Sequence, residues 1–226
     1  GLELHPGHTD LMVEQAYLYL DTMKLQKAKN VAECITETYE TEVKLLKAEI
    51  LLNEGNLDEA EKLLDSIEDK ESLNTILDVS YLYMDMGYPE KALSWLTLGI
   101  EEYKEEEDFL AAMADCYRSG DHDEQAIYIY NKLIDKNPYD PSYWTGLAKS
   151  HFNRQEFEKT IEACDFALAA DENFGEAHLM KAHSFFHLEN ESKAIQEYQL
   201  ALKGQSIPPE FAHMFIGLAY THLENW

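Results

Sequence analysis

Positive charge is scarce in this chain. Lys and Arg number 18 against 44 Asp and Glu, a formal net charge of −26 over 226 residues. An acidic field of that size repels phosphate backbones and anionic lipid surfaces, which argues against nucleic acid and membrane surface as partners. There is no run of about eighteen apolar residues and no signal-peptide core, so nothing in the sequence reads as a membrane span. Cysteine is also sparse. Cys34, Cys116 and Cys164 are odd in number and widely spaced, with no CxxC and no His/Cys cluster, which excludes a disulfide framework and a zinc site of standard form. That usage fits a reduced, cytoplasmic setting. The first residue is Gly1 rather than Met, which is consistent with a processed chain and leaves an exported location open. Strand-like alternation is missing throughout, as are a Gly-rich phosphate loop, a serine nucleophile elbow and any nucleotide motif, so no cofactor is expected.

What is present is enough to fold. Hydrophobic residues make up 45% and aromatics 12%, led by 14 tyrosines, which excludes intrinsic disorder despite the charge. Acidic runs such as "EEYKEEED" at 101–108 read as a solvated helix end.

The sequence repeats itself. Ala28, Ala60, Ala92, Ala126, Thr160 and Ala194 recur at steps of 32, 32, 34, 34 and 34 residues. A second series lies twelve residues before each: Ala16, Ala48, Ser80, Ala114, Ala148 and Ala182, with Gly217 continuing it one residue late. Three residues after the second series comes a large side chain (Tyr19, Leu51, Tyr83, Tyr117, His151, Phe185, Tyr220), and four after the first come Ala32, Leu64, Leu96, Tyr130, Cys164 and Tyr198. Apolar spacing within each unit is helical, as in Leu110, Met113, Ala114 and Tyr117 followed by Ile127, Tyr130, Leu133 and Ile134. Gly55, Gly87 and Gly120 are expected to close first helices in the left-handed conformation, and Pro89 fits the first turn of the next helix. Each unit is therefore a pair of short antiparallel helices, and the fold class is all-α. Such a hairpin cannot bury its apolar stripe alone and must stack on its neighbours, with the small residues letting helix axes approach where they cross.

With these residues in view, the sequence resembles the tetratricopeptide repeat family. The first-helix pattern is best matched by Trp144, Leu147, Ala148 and His151, and the second by Ala126, Tyr130 and Pro138. The resemblance covers residues 9–226 and implies a right-handed superhelical solenoid of stacked hairpins: about six units plus one further helix. The expected organisation is an N-terminal tail at 1–8, then units at 9–40, 41–72, 73–106, 107–140, 141–174 and 175–209, and a half unit at 210–226. The half unit leaves Phe211, Phe215 and Leu218 without a covering helix. That open end suggests a chain continuing past Trp226, or self-association through this surface.

Two constellations invite chemistry. His151 and Cys164 have the makings of a base and a nucleophile, but both sit in packing columns, and the resemblance implies that these columns pack together inside the hairpin. Burial raises a thiol pKa, so a structural pair is expected. His183 and His187 lie four apart on one helix, with His222 at the equivalent place in the next unit. The "SFF" between the pair lacks the glutamate of a metalloprotease, so neither a catalytic nor a metal site is assigned.

Without catalysis the surface carries the function. By the family's geometry, the residues that follow the small slot, and those a turn further on, face a concave groove: Tyr17, Glu49, Tyr81, Asp85, Asp115, Arg118, Lys149, Phe152, Asn153, His183, Phe186, His187 and His222. Aromatic anchors beside directional polar groups suit a peptide. Some relatives clamp a partner's C-terminal carboxylate with Lys, Asn and Arg; here Lys149, Arg118 and Asn153 are accompanied by Asp115, Glu49 and Asp85, so capture of an acidic tail is not expected. The sequence thus reads as a non-catalytic scaffold that binds a partner peptide or helix, one with basic residues suiting the acidic N-terminal half of the groove. The competing expectation is a regulatory or substrate-recruiting segment of a longer enzyme or signalling protein.

Overall fold

The computed structural model describes residues 9–35, 41–203 and 209–224, the side chains of 209–212 and 222–224 excepted. Every regular element among them is a helix, and none is long and apolar enough to cross a membrane. The architecture is an all-α helical repeat with two compact units. Gly1–Lys104 contains α1 (Thr9–Asp21), α2 (Leu25–Glu33), α3 (Thr41–Asn53), α4 (Leu57–Asp65), α5 (Leu73–Asp85) and α6 (Pro89–Tyr103). Glu105–Trp226 contains α7 (Glu107–Ser119), α8 (Asp123–Lys136), α9 (Pro141–Asn153), α10 (Phe157–Ala170), α11 (Gly175–His187), α12 (Glu191–Lys203) and α13 (Pro209–Glu224).

The two small-residue columns are where the helices of each hairpin meet. In the first unit Ala16, Ala48, Ser80, Ala28, Ala60 and Ala92 are all at most 1% exposed; in the second, Ala114, Ala148, Ala182, Ala126, Thr160 and Ala194 are wholly buried. The two hydroxyls in these columns show how close the approach is. Ser80 Oγ donates to the Ile76 carbonyl at 2.6 Å and lies 3.3 Å from the Ala92 carbonyl across the crossing. Thr160 Oγ1 bridges in the same way to Ala148, 3.3 Å away. A polar side chain is tolerated there because carbonyls of its own helix and of the facing helix both lie within reach of its hydroxyl.

The hairpin turns share one geometry that the residues only partly announce. In all six, the amide two residues past the C-cap reaches back to the carbonyl five before it: Lys24 to Tyr19, Asn56 to Leu51, Tyr88 to Tyr83, His122 to Tyr117, Glu156 to His151 and Asn190 to Phe185, at 2.8–2.9 Å. This is a Schellman closure, which requires a left-handed residue just before that amide. Gly55 and Gly87 supply it at φ 78° as expected, but in the third-last position of this series the expectation of Gly120 fails: Gly120 has φ −91° and Asp121, at 60°, takes the left-handed role. Met23, Gln155 and Glu189 do the same at 55°, 60° and 55°. The first helix of each of these six hairpins is 13 residues long.

The last helix departs from expectation twice. Gly217 is exposed, and the buried small residue on α13 is Ala219, 0% exposed. Phe215 is covered: it stacks on Tyr198 at 5.4 Å and meets His183 edge-on at 4.7 Å. Leu218 is 52% exposed, as an uncovered face implies, and Phe211 has its side chain outside the described residues.

Candidate functional site

The first helices of the N-terminal unit enclose a groove of about 550 Å³, lined by Val13, Glu14 and Tyr17 of α1, Glu42, Leu45 and Glu49 of α3, and Asp78, Tyr81, Leu82 and Asp85 of α5. Tyr17, Glu49, Tyr81 and Asp85, all singled out by repeat position, come together there. The repeat columns missed Glu14, Asp78, Leu45 and Glu42, which lie three, three, four and seven residues before Tyr17, Tyr81 and Glu49. These spacings continue the same helical stripe toward the N-terminus, so extending the stripe by a turn or two would have found them.

Five carboxylates line this groove and no basic side chain does. Among the described residues none of the five enters an ion pair, whereas Lys29 pairs with Glu54 and Lys91 with Glu61 elsewhere in the unit. The electrostatic cost falls on the groups that line the groove. Burial first, then Asp21, Asp85 and Asp78, pushes the Glu49 carboxyl above the usual range. Asp78 is raised by burial and by Glu42, and the Tyr17 hydroxyl by burial, then Glu49, Asp78 and Glu42. Floor residues Val13, Leu45 and Leu82 are buried, while the Tyr81 ring is 42% exposed. The result is an apolar floor with aromatic walls and uncompensated negative charge.

The corresponding first-helix positions of the second unit are built on a different plan. Its cations are already held. Arg118 donates to Asp115 at 3.0 Å, and the same carboxylate oxygen accepts from the buried Tyr130 hydroxyl at 2.7 Å. Lys149 pairs with Glu176 at 2.6 Å, and Asn153 donates to Asp123 at 3.1 Å. The three groups that resembled parts of a carboxylate clamp are therefore each engaged by an acid of the chain. Phe152 packs among Phe157 and His187, and His187 stacks on Phe157 at 4.7 Å with planes 3° apart. Phe186 stands edge-on to His187 at 6.5 Å. His183 shares a hydrogen bond of 2.8 Å with the Tyr198 hydroxyl; burial, then His187, lowers its pKa to about 4, so it is neutral at neutral pH. Both histidine rings lie against Phe152, but only His183 hydrogen-bonds Tyr198 and only His187 stacks on Phe157. Among the described residues no group of three His, Cys, Asp or Glu is arranged to hold a metal ion, and the side chain of His222 lies outside those residues.

His151 and Cys164 do not pair. His151 Nδ1 lies 2.7 Å from Glu156, whose carboxyl is held down to about 2 by hydrogen bonds from Lys159, His151 and Arg154. Cys164 is fully buried and its thiol is pushed up to about 12, chiefly by that burial. A thiol with that pKa is not a nucleophile at neutral pH.

Comparison with known proteins follows the same lines. A family model described as tetratricopeptide repeat matches residues 145–210. Over those residues the chain is similar to the tetratricopeptide repeat family. A repeat protein of that kind from Parabacteroides merdae ATCC 43184 shares its fold at a TM-score of 0.76, with 14% identity over 94% of this chain and 84% of that one. The APC/C hetero-tetramer Cut9-Hcn1 contains a chain that matches at 0.66, with 17% identity over 95% of this chain and 43% of the other. In sequence, human RNA polymerase II-associated protein 3 is 28% identical over 87 residues, 38% of this chain. The match spans only 13% of that longer protein.

Proposed function

We propose that this chain is a non-catalytic protein-interaction scaffold, and that the groove of α1, α3 and α5 holds a peptide or helix of a partner that carries basic residues. The observation that carries this reading is the groove itself: about 550 Å³, an aliphatic floor, two tyrosines, and five carboxylates without a cation. A basic segment would complete the missing ion pairs, and its apolar residues would cover the floor. The engaged state of Lys149, Arg118 and Asn153 supports the companion reading that an acidic tail is not the ligand of the second unit.

The test compares partner capture by the wild-type chain with two variants: Glu49→Lys with Tyr81→Ala in the first unit, and Phe152→Ala with Phe186→Ala in the second. Loss of the captured partner in the first variant is expected. Equal recovery by all three sinks the scaffold reading of these faces. A second reading, that the repeats recruit partners for a longer protein, is favoured by the human relative, in which the matched segment is a small part of the whole. Sequencing the transcript beyond both termini separates the two.

A further inference from the structure

We propose that the first unit's groove is an arginine seat: the guanidinium of one partner arginine rests on the Glu49 carboxylate, with the rings of Tyr17 and Tyr81 on either side. The inference rests on the groove being the binding face and names the group it selects.

The register makes the seat. Tyr17, Glu49 and Tyr81 occupy the same position in three successive hairpins, each one residue past a buried small residue: Ala16, Ala48 and Ser80. Helices α1, α3 and α5 bring these positions to one groove in the order tyrosine, carboxylate, tyrosine. Among the neighbouring charges, Glu49 acts most strongly on the Tyr17 hydroxyl. Further acids lie a turn away in both directions along the flanking helices, Glu14 and Asp78 three residues before the tyrosines, Asp21 and Asp85 four after. Of these, Asp21, Asp85 and Asp78 act on Glu49.

A cation placed here meets attraction from every side, and its chemistry follows from what surrounds it. It is an organic cation, because the described carboxylates are not grouped to ligate a metal. A guanidinium suits the seat better than an ammonium: its planar fork pairs with a carboxylate through two N–H donors, its faces stack on aromatic rings, and it is the more weakly hydrated ion. Below it the buried Val13, Leu45 and Leu82 accept the arginine's methylene stem or an apolar neighbour. A second copy of the chain is disfavoured as occupant, since two chains of net charge −26 repel.

The experiment is a titration of the whole chain with Nα-acetyl-arginine methylamide, followed by amide NMR shifts, with the lysine and citrulline analogues in parallel. Arginine is expected to saturate and to shift the amides around Tyr17, Glu49 and Tyr81. Lysine should bind about fivefold more weakly, and citrulline, isosteric but neutral, should not bind. Glu49→Gln should weaken arginine by about tenfold or more, while Glu176→Gln, in the other unit, should leave it unchanged. A Tyr17→Leu, Tyr81→Leu variant tests the walls separately and should erase the preference for arginine over lysine. Equal binding of citrulline, equal binding of lysine, or indifference to Glu49→Gln overturns the seat. If the seat fails while Glu49→Lys with Tyr81→Ala still abolishes partner capture, the scaffold reading stands without it; if capture too is unaffected, both fall.

Discussion

Replacing Gly146 by alanine puts a methyl carbon into the ring of Tyr130. A Cβ built on Gly146 of α9 lies 2.2 Å from Tyr130 Cε1, 2.3 Å from Cζ and 2.7 Å from the hydroxyl, all well inside contact distance. The ring has little room to yield, because Tyr130 is 3% exposed and its hydroxyl is tied to Asp115 at 2.7 Å. Overpacking of this kind costs about 1–3 kcal/mol. If the ring swings away instead, a hydrogen bond to an ionised carboxylate is lost, about 1.5–3 kcal/mol. Alanine's better helix propensity recovers only about 1 kcal/mol. The expected net loss is about 0.5–2 kcal/mol, and a local change of about 1 kcal/mol speeds amide exchange roughly fivefold. Hydrogen exchange across α8 and α9 is the appropriate assay, because repeat arrays need not unfold in one step. In a Tyr130→Leu background the same substitution should be neutral or slightly protective. Equal or slower exchange in Gly146→Ala alone would refute the argument that glycine is there to admit the tyrosine ring.

Gln155→Gly and Glu189→Gly relieve left-handed strain at φ 60° and 55° and should each stabilise their hairpin by about 1 kcal/mol, read as a higher urea midpoint; no change would mean the turns carry no strain. The two units should respond oppositely to mild acid. Glu49 and Asp78 have raised folded pKa values, so their ionisation opposes folding, and the first unit should gain stability as pH falls from neutral toward the ordinary carboxylate range. His183 is held near 4, below its ordinary value of 6.5, so the stability it contributes is present at neutral pH and is lost as pH falls through that interval; Glu156, held near 2, adds a further loss below about 4.5. Exchange rates at pH 7 and pH 5 check this, and a His183→Phe chain should show a flatter response in α11 and α12. Ala60→Leu or Ala126→Leu should overpack a fully buried crossing and cost about 1–3 kcal/mol in thermal melts.

Much of the fold was legible because the residues that carry it have no choice of type. A helix crossing with no room for a side chain writes alanine at fixed intervals, and Ala28, Ala60, Ala92, Ala126 and Ala194 are all wholly buried. The turns were less legible because backbone hydrogen bonds, not side chains, close them; Met23 and Glu189 adopt the conformation of Gly55 without resembling it. The groove was half legible. Repeat position picked Tyr17, Glu49, Tyr81 and Asp85, but an acidic sequence gives no sign of which carboxylates lack a cation, since pairing depends on helices 25 to 30 residues apart, as for Lys29 with Glu54 and Arg154 with Glu124. The unpaired set became visible only when those partners were placed.

The burial of Cys164 and Cys116, at 0% and 1% exposure, has a practical side, because Cys34 is exposed. The chain carries a built-in stopwatch. A thiol reagent meets Cys34 at once, but it reaches Cys164 only when the α9–α10 hairpin opens, and Cys116 only when α7 does. The order in which the second and third labels arrive therefore reports which hairpin of the second unit breathes first, without adding any probe to the protein.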